Sequence, residues 1–565
     1  MKNKRTQFGL LLALTGVIGV AYLPTFFSAF NGDDFDYLRI LVFNSRGLVV
    51  GDAAAWDEWF LRSITGYVYL RPFVSALALV DFIIGNVAPF GYHFVGIVIH
   101  LFATFAAYWV ARNLLRDKFA ARFAAFFFAL LPIHMSAVAW FAARNDVLCA
   151  LWFLLALFFF MRYRRDGARG NYFWSLGAFI LALFSKELAV TLPAIILLYD
   201  ALYYPRDLLR VPARMRRHAA YWIILAAYFP VRFFFLGKIA ARGVEYLGEG
   251  LWGWIDALIR YSLFPLVSDV TAEMRWLALA AIGIGLIIFR ARREFLFGLL
   301  WTPLTYFLTI STNPSDYSFY LPSYGVTLLA AWLASRARFL RFEISLRARA
   351  ALAALFLLAS GLATFLWAQE YQRATLVAQT ITQQVQAYYP ALAPDARLVF
   401  VGVPDRLPND VIVYLAGFGS AVQVAYLNPN LSVQRYDKFP VLLDKLDKTF
   451  FFLVDHRRVF KREDIARDLD ARRRCANAQT IARTFDFARD AQGWEAWNQL
   501  ADFSARDGTL YMRAEGNDPY LGSPALNVSS FNLGDVEIVM RAQSEQKQLR
   551  GSFNPIFFLT SNKNF

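Results

Sequence analysis

Few of the residues that soluble enzymes use for metal or redox chemistry are present. Five histidines and two cysteines are spread over 565 residues. Cys149 lies in an apolar run and Cys475 in a polar one, so the two form no disulfide framework and give no redox information. No second histidine or cysteine stands at metal-ligand spacing from His134. Gly417-Phe418-Gly419 follows an apolar run, but Val422 stands where a dinucleotide loop needs its third glycine. No internal repeat marks an inverted-repeat transporter. What fills the chain is apolar: 58% hydrophobic residues, 17% aromatic, 55 Phe and a mean hydropathy of +0.39. A soluble domain does not sustain that composition.

The net charge of +15 is not that of a nucleic-acid binder. Its basic residues sit in short clusters between apolar runs, as the positive-inside rule requires of cytoplasmic turns. The first apolar run, from about Phe8 to Phe30, follows Lys2, Lys4 and Arg5. It is long enough to span and lacks a clean small-x-small cleavage site, so it reads as a retained anchor with a cytoplasmic N-terminus. Further spans follow near Phe90 to Ala111, Phe123 to Trp140, Val147 to Met161, Tyr172 to Phe184, Tyr221 to Leu236, Leu277 to Ile288, Phe295 to Ile310, Tyr324 to Leu333 and Leu352 to Trp367. The hairpin turning at Ser185-Lys186-Glu187 has legs near the lower length limit. The path predicts about eleven transmembrane helices with an extracytoplasmic C-terminal region. A long outer segment, Asn31 to about Pro89, carries amphipathic pieces at Trp56 to Phe60 and Pro72 to Ile84.

From about Ala368 the composition becomes that of a water-soluble region. Ala396 to Val403 and Lys448 to Val454 read as buried strands with helical stretches between them, which predicts a small α/β domain. From about Thr484, Gly508 to Met512 and Val536 to Met540 alternate like an incomplete β-sandwich. The expected domains are 1–367 in the membrane, 368–480 α/β and 481–565 β-rich.

Polar groups collect at one membrane face. Asp33, Asp34 and Asp36 follow the first span; a carboxylate near hydrocarbon costs roughly 2.5 to 3.5 kcal/mol, which makes such a cluster a functional-site hypothesis by default. Arg71, His134, Arg144, Asp146, Lys186, Glu187, Asp316, Tyr317 and Tyr320 flank other spans on the same side. Carboxylates mixed with Arg and Lys suit attack by an acceptor hydroxyl on a sugar carbon whose leaving group is a lipid phosphate. The hydroxyl needs a base, and the departing phosphate needs cations rather than an acid.

The residues also carry a family likeness. Asp33-Asp34-Phe35-Asp36-Tyr37 after the first span resembles the Asp-Glu motif in the first outer loop of GT-C membrane glycosyltransferases, the fold of protein O-mannosyltransferases and lipid A aminoarabinose transferases. Tyr69-Leu70-Arg71-Pro72-Phe73 is similar to the basic-Pro motif later in that loop, and Pro132 to Trp140 with Arg144 and Asp146 to a His-Pro-containing segment. Phe184-Ser185-Lys186-Glu187 and Tyr320-Leu321-Pro322-Ser323 resemble the Ser-Lys-Glu hairpin and Tyr-Leu-Pro-Ser segment of the O-mannosyltransferase-like members. The likeness covers about Met1 to Trp367. It departs at Asp34, where Glu is usual, and at Tyr317, where an Arg often stands. It implies an inverting displacement from a polyprenyl-phosphate sugar on the outer face of a bacterial-type inner membrane. Asp33 would be the base, Asp34 its orienting or tuning neighbour, and Arg71, Lys186 and Arg260 the phosphate ligands. Two adjacent acids repel, which raises the pKa of one of them. The partners so implied are the lipid-linked donor, a hydroxyl-bearing acceptor and the bilayer, with no nucleic acid.

Plainer readings stand beside these. Asn-Gly-Asp-Asp also opens helices, Arg71 is placed to snorkel, and Lys186 with Glu187 makes an ion pair at a hairpin tip. His134 reads as a satisfied helix-end histidine, Arg144 with Asp146 as a structural contact, and Asp36, which matches no motif acid, as a loop residue. An acidic pair also binds Mg²⁺ or Mn²⁺ through a substrate phosphate, so the metal question stays open. Two other functions compete: a transporter or flippase of lipid-linked sugars, and a non-catalytic scaffold whose outer region does the binding.

Overall fold

The computed structural model describes residues 2–50, 70–208, 211–236, 250–267, 269–311, 315–336, 338–339, 342–415, 417–435, 448–465, 467, 490, 495–498, 500–506, 509–514 and 520–522. The expected features at Trp56 to Phe60, Cys475 and Val536 to Met540 lie outside them.

The described chain divides into two compact units. The first comprises Met1–Leu392, Pro404–Asn430 and His456–Arg458. Its helices are α1 (Lys2–Ala21), α2 (Asp34–Val50), α3 (Pro72–Gly85), α4 (Pro89–Leu115), α5 (Lys118–Ala129), α6 (Met135–Ala139), α7 (Arg144–Asp166), α8 (Arg169–Leu183) and α9 (Leu192–Tyr203). There follow α10 (Pro205–Leu208), α11 (Val211–Leu236), α12 (Gly250–Ser262), α13 (Ala272–Phe289), α14 (Arg293–Tyr306), α15 (Ser323–Ala334), α16 (Leu346–Tyr388) and α17 (Phe418–Ala425). A two-residue antiparallel pair, β1 (Arg338–Phe339) and β2 (Phe342–Glu343), separates α15 from α16.

Most apolar runs read as spans fall on one helix each, but Phe123 to Trp140 is broken between α5 and α6, and Phe8 to Phe30 and Phe295 to Ile310 run on into 3-10 turns. Length and composition suit five described helices for crossing a membrane, or six if the bent pair 118–129 and 132–139 counts as one broken span. α8, with 15 residues, is short of the roughly 20 that a 30 Å core needs. α16 runs on for 43 residues, through Trp367 where the composition changes, and its later turns bury Tyr371, Thr375, Ala378 and Ile381. The multi-pass membrane character is plain in the faces: α13 has no buried residue, and Leu352, Leu355, Leu358 and Leu362 on α16 are exposed. In water such faces would be costly; against lipid tails they are at home.

Helix contacts inside the first unit are closed by polar pairs as well as by packing. His100 on α4 bonds Tyr320 at 2.6 Å, and His134 bonds Ser323 at 2.7 Å, with the Phe128 ring 4.6 Å from that of His134. A hydrogen bond between helices is a common substitute for the hydrophobic drive that lipid removes.

The second unit comprises Ala393–Val403, Leu431–Asp455 and Val459–Phe565. Its sheet orders four strands as β4 (Ser432–Arg435), β3 (Arg397–Val401), β5 (Thr449–Asp455) and β6 (Arg458–Lys461), with β3 parallel to both β4 and β5. The two strands read as buried in sequence are thus the central pair, and Phe400 stacks on Phe452 at 4.8 Å. Parallel strands need a crossover, and residues 404–430, which contain α17, connect β3 to β4. Further on, β7 (Glu495–Asn498) pairs with β10 (Tyr520–Gly522), and β8 (Leu500–Arg506) with β9 (Thr509–Ala514), all antiparallel.

Candidate active site

The acidic loop is built by turns that leave no slack. A 3-10 turn at Leu23–Phe27 ends α1, and the chain then passes through Asn31 and Gly32 into α2. Gly32 has φ +54°, a left-handed conformation that glycine adopts without strain, and a Cβ there would meet Ile412 at 3.0 Å and the Trp140 ring at 3.2 Å. Asn31 is fully buried; its amide donates to the Ile412 carbonyl at 2.8 Å and its oxygen accepts the Tyr371 hydroxyl at 2.8 Å. Asp34 is fully buried too, and its two oxygens accept the backbone N–H groups of Asn31 (3.3 Å) and Ala142 (2.8 Å). Asp33, between these fixed neighbours, is half-buried.

The Asp34 carboxyl is held well above the usual carboxylate range. Burial is the main cause; the Asp33 charge adds to it, while the two backbone N–H groups and Arg144 oppose it. Asp36 lies within α2 rather than in a loop, accepts the Ser420 hydroxyl, and is raised by burial against that bond and Arg39.

From the acidic loop a continuous set of contacts leads to cations. Trp140, beside Gly32, packs edge-on against Tyr317 at 5.4 Å. The Lys186 ammonium lies 5.2 Å from the centre of the Tyr317 ring. The same ammonium donates to both oxygens of Asp146 at 2.6 Å and to Ser318 at 3.4 Å. Glu187, the next residue, points elsewhere: one oxygen accepts Arg71 at 2.7 Å and the other Arg232 at 2.9 Å. Burial works to raise the Glu187 pKa, but the Arg71 and Arg232 guanidiniums outweigh it and hold it at about 2. Lys186 and Glu187 are therefore not each other's partners. Nor are Arg144 and Asp146: Arg144 pairs with buried Asp81 of α3 and donates to the Tyr92 carbonyl at 2.7 Å.

The other candidates are placed as follows. Arg260 on α12 is half-buried and donates to the Tyr261 hydroxyl at 2.8 Å. Asp316 accepts the Ser136 hydroxyl and caps the turn at Tyr317–Phe319; burial raises its pKa against those bonds. His134 and Tyr320 are fully buried, with rings 4.2 Å apart, and are closed off by helix packing. Among the described residues no group of three or more His, Cys, Asp or Glu is arranged to hold a metal ion. Both Asp34 oxygens accept backbone N–H groups in a buried position, so Asp34 is not presented as a metal ligand.

Arg232, Asp81, Tyr371 and the segment around Gly417 escaped the sequence reading. Two of them had a signal. Arg232, near the end of the apolar run Tyr221 to Leu236, and Asp81, inside Pro72 to Ile84, are ionisable residues in apolar helices, which by default need a partner. Tyr371 and Gly417 had none, because their partners are hundreds of residues away.

Comparison with known proteins gives no matching family model. The chain is 31% identical over 121 residues to the protein O-mannosyl-transferase Tmtc1 of Drosophila melanogaster, 21% of this chain and 14% of that one. It is 28% identical over 214 residues to the protein O-mannosyl-transferase TMTC4 of Homo sapiens, 33% of this chain and 29% of the relative. The match thus spans less than a third of the length of these relatives. Among solved structures, ArnT from Cupriavidus metallidurans bound to undecaprenyl phosphate aligns with a TM-score of 0.45 at 14% identity, covering 90% of this chain and 98% of that one. The likeness to protein O-mannosyltransferases read from the motifs is borne out as a similarity over the matched fifth to third of the chain.

Proposed function

We propose that the chain is an inverting glycosyltransferase that moves a sugar from a polyprenyl-phosphate donor to a hydroxyl acceptor at the outer face of a bacterial-type inner membrane, with its N-terminus cytoplasmic. The observation that carries this is the continuity from Gly32, next to half-buried Asp33, through Trp140 and Tyr317 to Lys186, whose neighbour Glu187 pairs with Arg71 and Arg232. Lys186, Arg71 and Arg232 gather around Asp146 and Glu187, so three cationic side chains meet in one buried or half-buried cluster. Guanidinium and ammonium donors so placed suit an incoming phosphate, which accepts charge-assisted hydrogen bonds from both.

In the proposed reaction Asp33 takes the acceptor's hydroxyl proton as the oxygen attacks the sugar's anomeric carbon. The bond from that carbon to the phosphate oxygen breaks, its electron pair leaves with the polyprenyl phosphate, and the configuration inverts. Lys186, Arg71 and Arg232 stabilise the growing phosphate charge. Asp34 does not reach the acceptor; its part is to hold the loop. His134 and Tyr320 belong to the packing behind the site, and Arg260 is a further cation for the donor phosphate.

The reading is tested by transfer from a polyprenyl-phosphate sugar with full-length protein in detergent or nanodiscs. Asp33→Asn, shown to insert and fold, is expected to lose transfer by a factor of about 10² or more. Wild-type turnover by that variant would sink the assignment. A co-purified lipid-linked sugar identified by mass spectrometry names the donor.

A further inference from the structure

Between β3 and β4 the chain passes through residues 404–430, a stretch that belongs to the first unit and meets the acidic loop along its length. The Gly32 N–H donates to the Val413 carbonyl at 2.9 Å, and the buried Asn31 amide to Ile412 at 2.8 Å. Next to these bonds Gly417 approaches so closely that a Cβ on it would lie 2.0 Å from the Gly32 carbonyl oxygen. One helical turn on, Ser420 bonds Asp36, and the Arg39 guanidinium donates to Gln423 at 2.8 Å. Phe35 and Tyr414 pack at 5.9 Å, and the Tyr371 hydroxyl closes the set from α16 by donating to Asn31. Asp33 is thus held from both sides, with residues 31 and 32 tied to 412 and 413, and residue 34 tied to Ala142.

We propose that residues 404–430, together with Tyr371, are a positioning element for Asp33, so that a segment outside the membrane helices is required to set the carboxylate at the reacting hydroxyl. The inference rests on the reading of Asp33 as the base. Its physical ground is the steep cost of misplacement: a shift of about 1 Å at a reacting group lowers rate by about 10²-fold. Gly417 is there because the two backbones cross too closely for any side chain. None of these groups touches substrate; they act through Asn31 and Gly32.

The experiment uses full-length Tyr371→Phe and Gly417→Ala, with donor kinetics and amide hydrogen exchange on the same preparations. Gly417→Ala must push the backbones apart, so the Gly32 amide exchanges faster. Transfer then falls by about 10 to 100-fold in kcat, with the donor KM within about two-fold of wild type. Tyr371→Phe removes one hydroxyl from a buried ring and gives the same kcat-only loss in smaller degree; it carries the test if Gly417→Ala does not fold. A folded Gly417→Ala with a loosened Gly32 amide and wild-type kcat overturns the inference. So does a rise in donor KM at unchanged kcat, or unchanged exchange together with unchanged kcat. Asp33→Asn separates the two ideas: wild-type turnover there overturns the base itself. An inactive Asp33→Asn beside a fully active, loosened Gly417→Ala overturns the positioning element alone.

Discussion

The Asp34 carboxylate accepts the backbone N–H of Ala142 at 2.8 Å, joining the start of α2 to the turn that opens α7. Two residues further along that turn Arg144 is locked to Asp81, and two beyond that Asp146 holds Lys186. The acidic loop and the cation cluster are therefore mounted on one short stretch of chain, 140–146. That arrangement gives the two neighbouring acids different roles. Asp34 fixes the loop, and Asp33 is left partly open to solvent.

Asp34→Ala is expected to strand the Ala142 and Asn31 N–H groups, each of which then loses its acceptor. A buried unsatisfied group costs about 1 to 3 kcal/mol, so the variant should melt measurably lower than wild type in the same detergent. Its transfer should fall even where it remains folded. Unchanged melting would mean that the loop is held by Asn31 and Gly32 alone.

Lys186 and Asp146 form a buried pair, 13% and 1% exposed. Removing one partner of such a pair costs about 3 to 5 kcal/mol, because the other charge is left uncompensated, whereas removing both is far milder. Lys186→Met and Asp146→Leu should each destabilise strongly, and the double variant should recover much of the loss in thermal unfolding. Activity should not recover with it, since the ammonium is gone. A double variant no more stable than either single one would show that the pair is not the stabilising unit.

The helices were legible in the sequence because apolar runs and basic turns are local signals. Even so, Tyr324 to Leu333 and Tyr172 to Phe184 fall on helices of only 12 and 15 residues, for which length does not tell a span from a buried segment. Among the site residues, Lys186 and Glu187 were found, but their partners were not: adjacency suggested a mutual pair, while the backbone turn at 184–187 sends the two side chains to Asp146 and to Arg71 with Arg232. Ion pairing depends on which helices meet, and composition does not carry that. Gly417 shows the same limit, since the close approach that requires it is to Gly32, far away in sequence.

Glu187 makes stability depend on acid. Its folded pKa is held at about 2, below the ordinary 4.5, so its pairing contributes in full above pH 4.5 and is lost as pH falls through about 2. Glu187→Gln removes that contribution. Wild type should be the more stable at pH 6, and the gap in melting temperature should narrow between pH 4.5 and 2. A gap that stays constant over that range would mean that the Glu187 charge does not stabilise the fold.

Arg232 and Arg71 share Glu187, and the sharing has a kinetic consequence. With Arg232 present, the Glu187 carboxylate divides between two guanidiniums; in Arg232→Met it faces Arg71 alone. Donor KM should then rise by about ten-fold or more, as expected for a lost charge-assisted contact of about 1.5 to 3 kcal/mol. Pairing Arg232→Met with Glu187→Gln removes the carboxylate charge beside Arg71, so the double variant should bind donor better than Arg232→Met alone. Measuring donor KM across the four proteins of this cycle isolates the coupling. Strict additivity of the two changes would show that Glu187 and Arg232 do not act on the phosphate together.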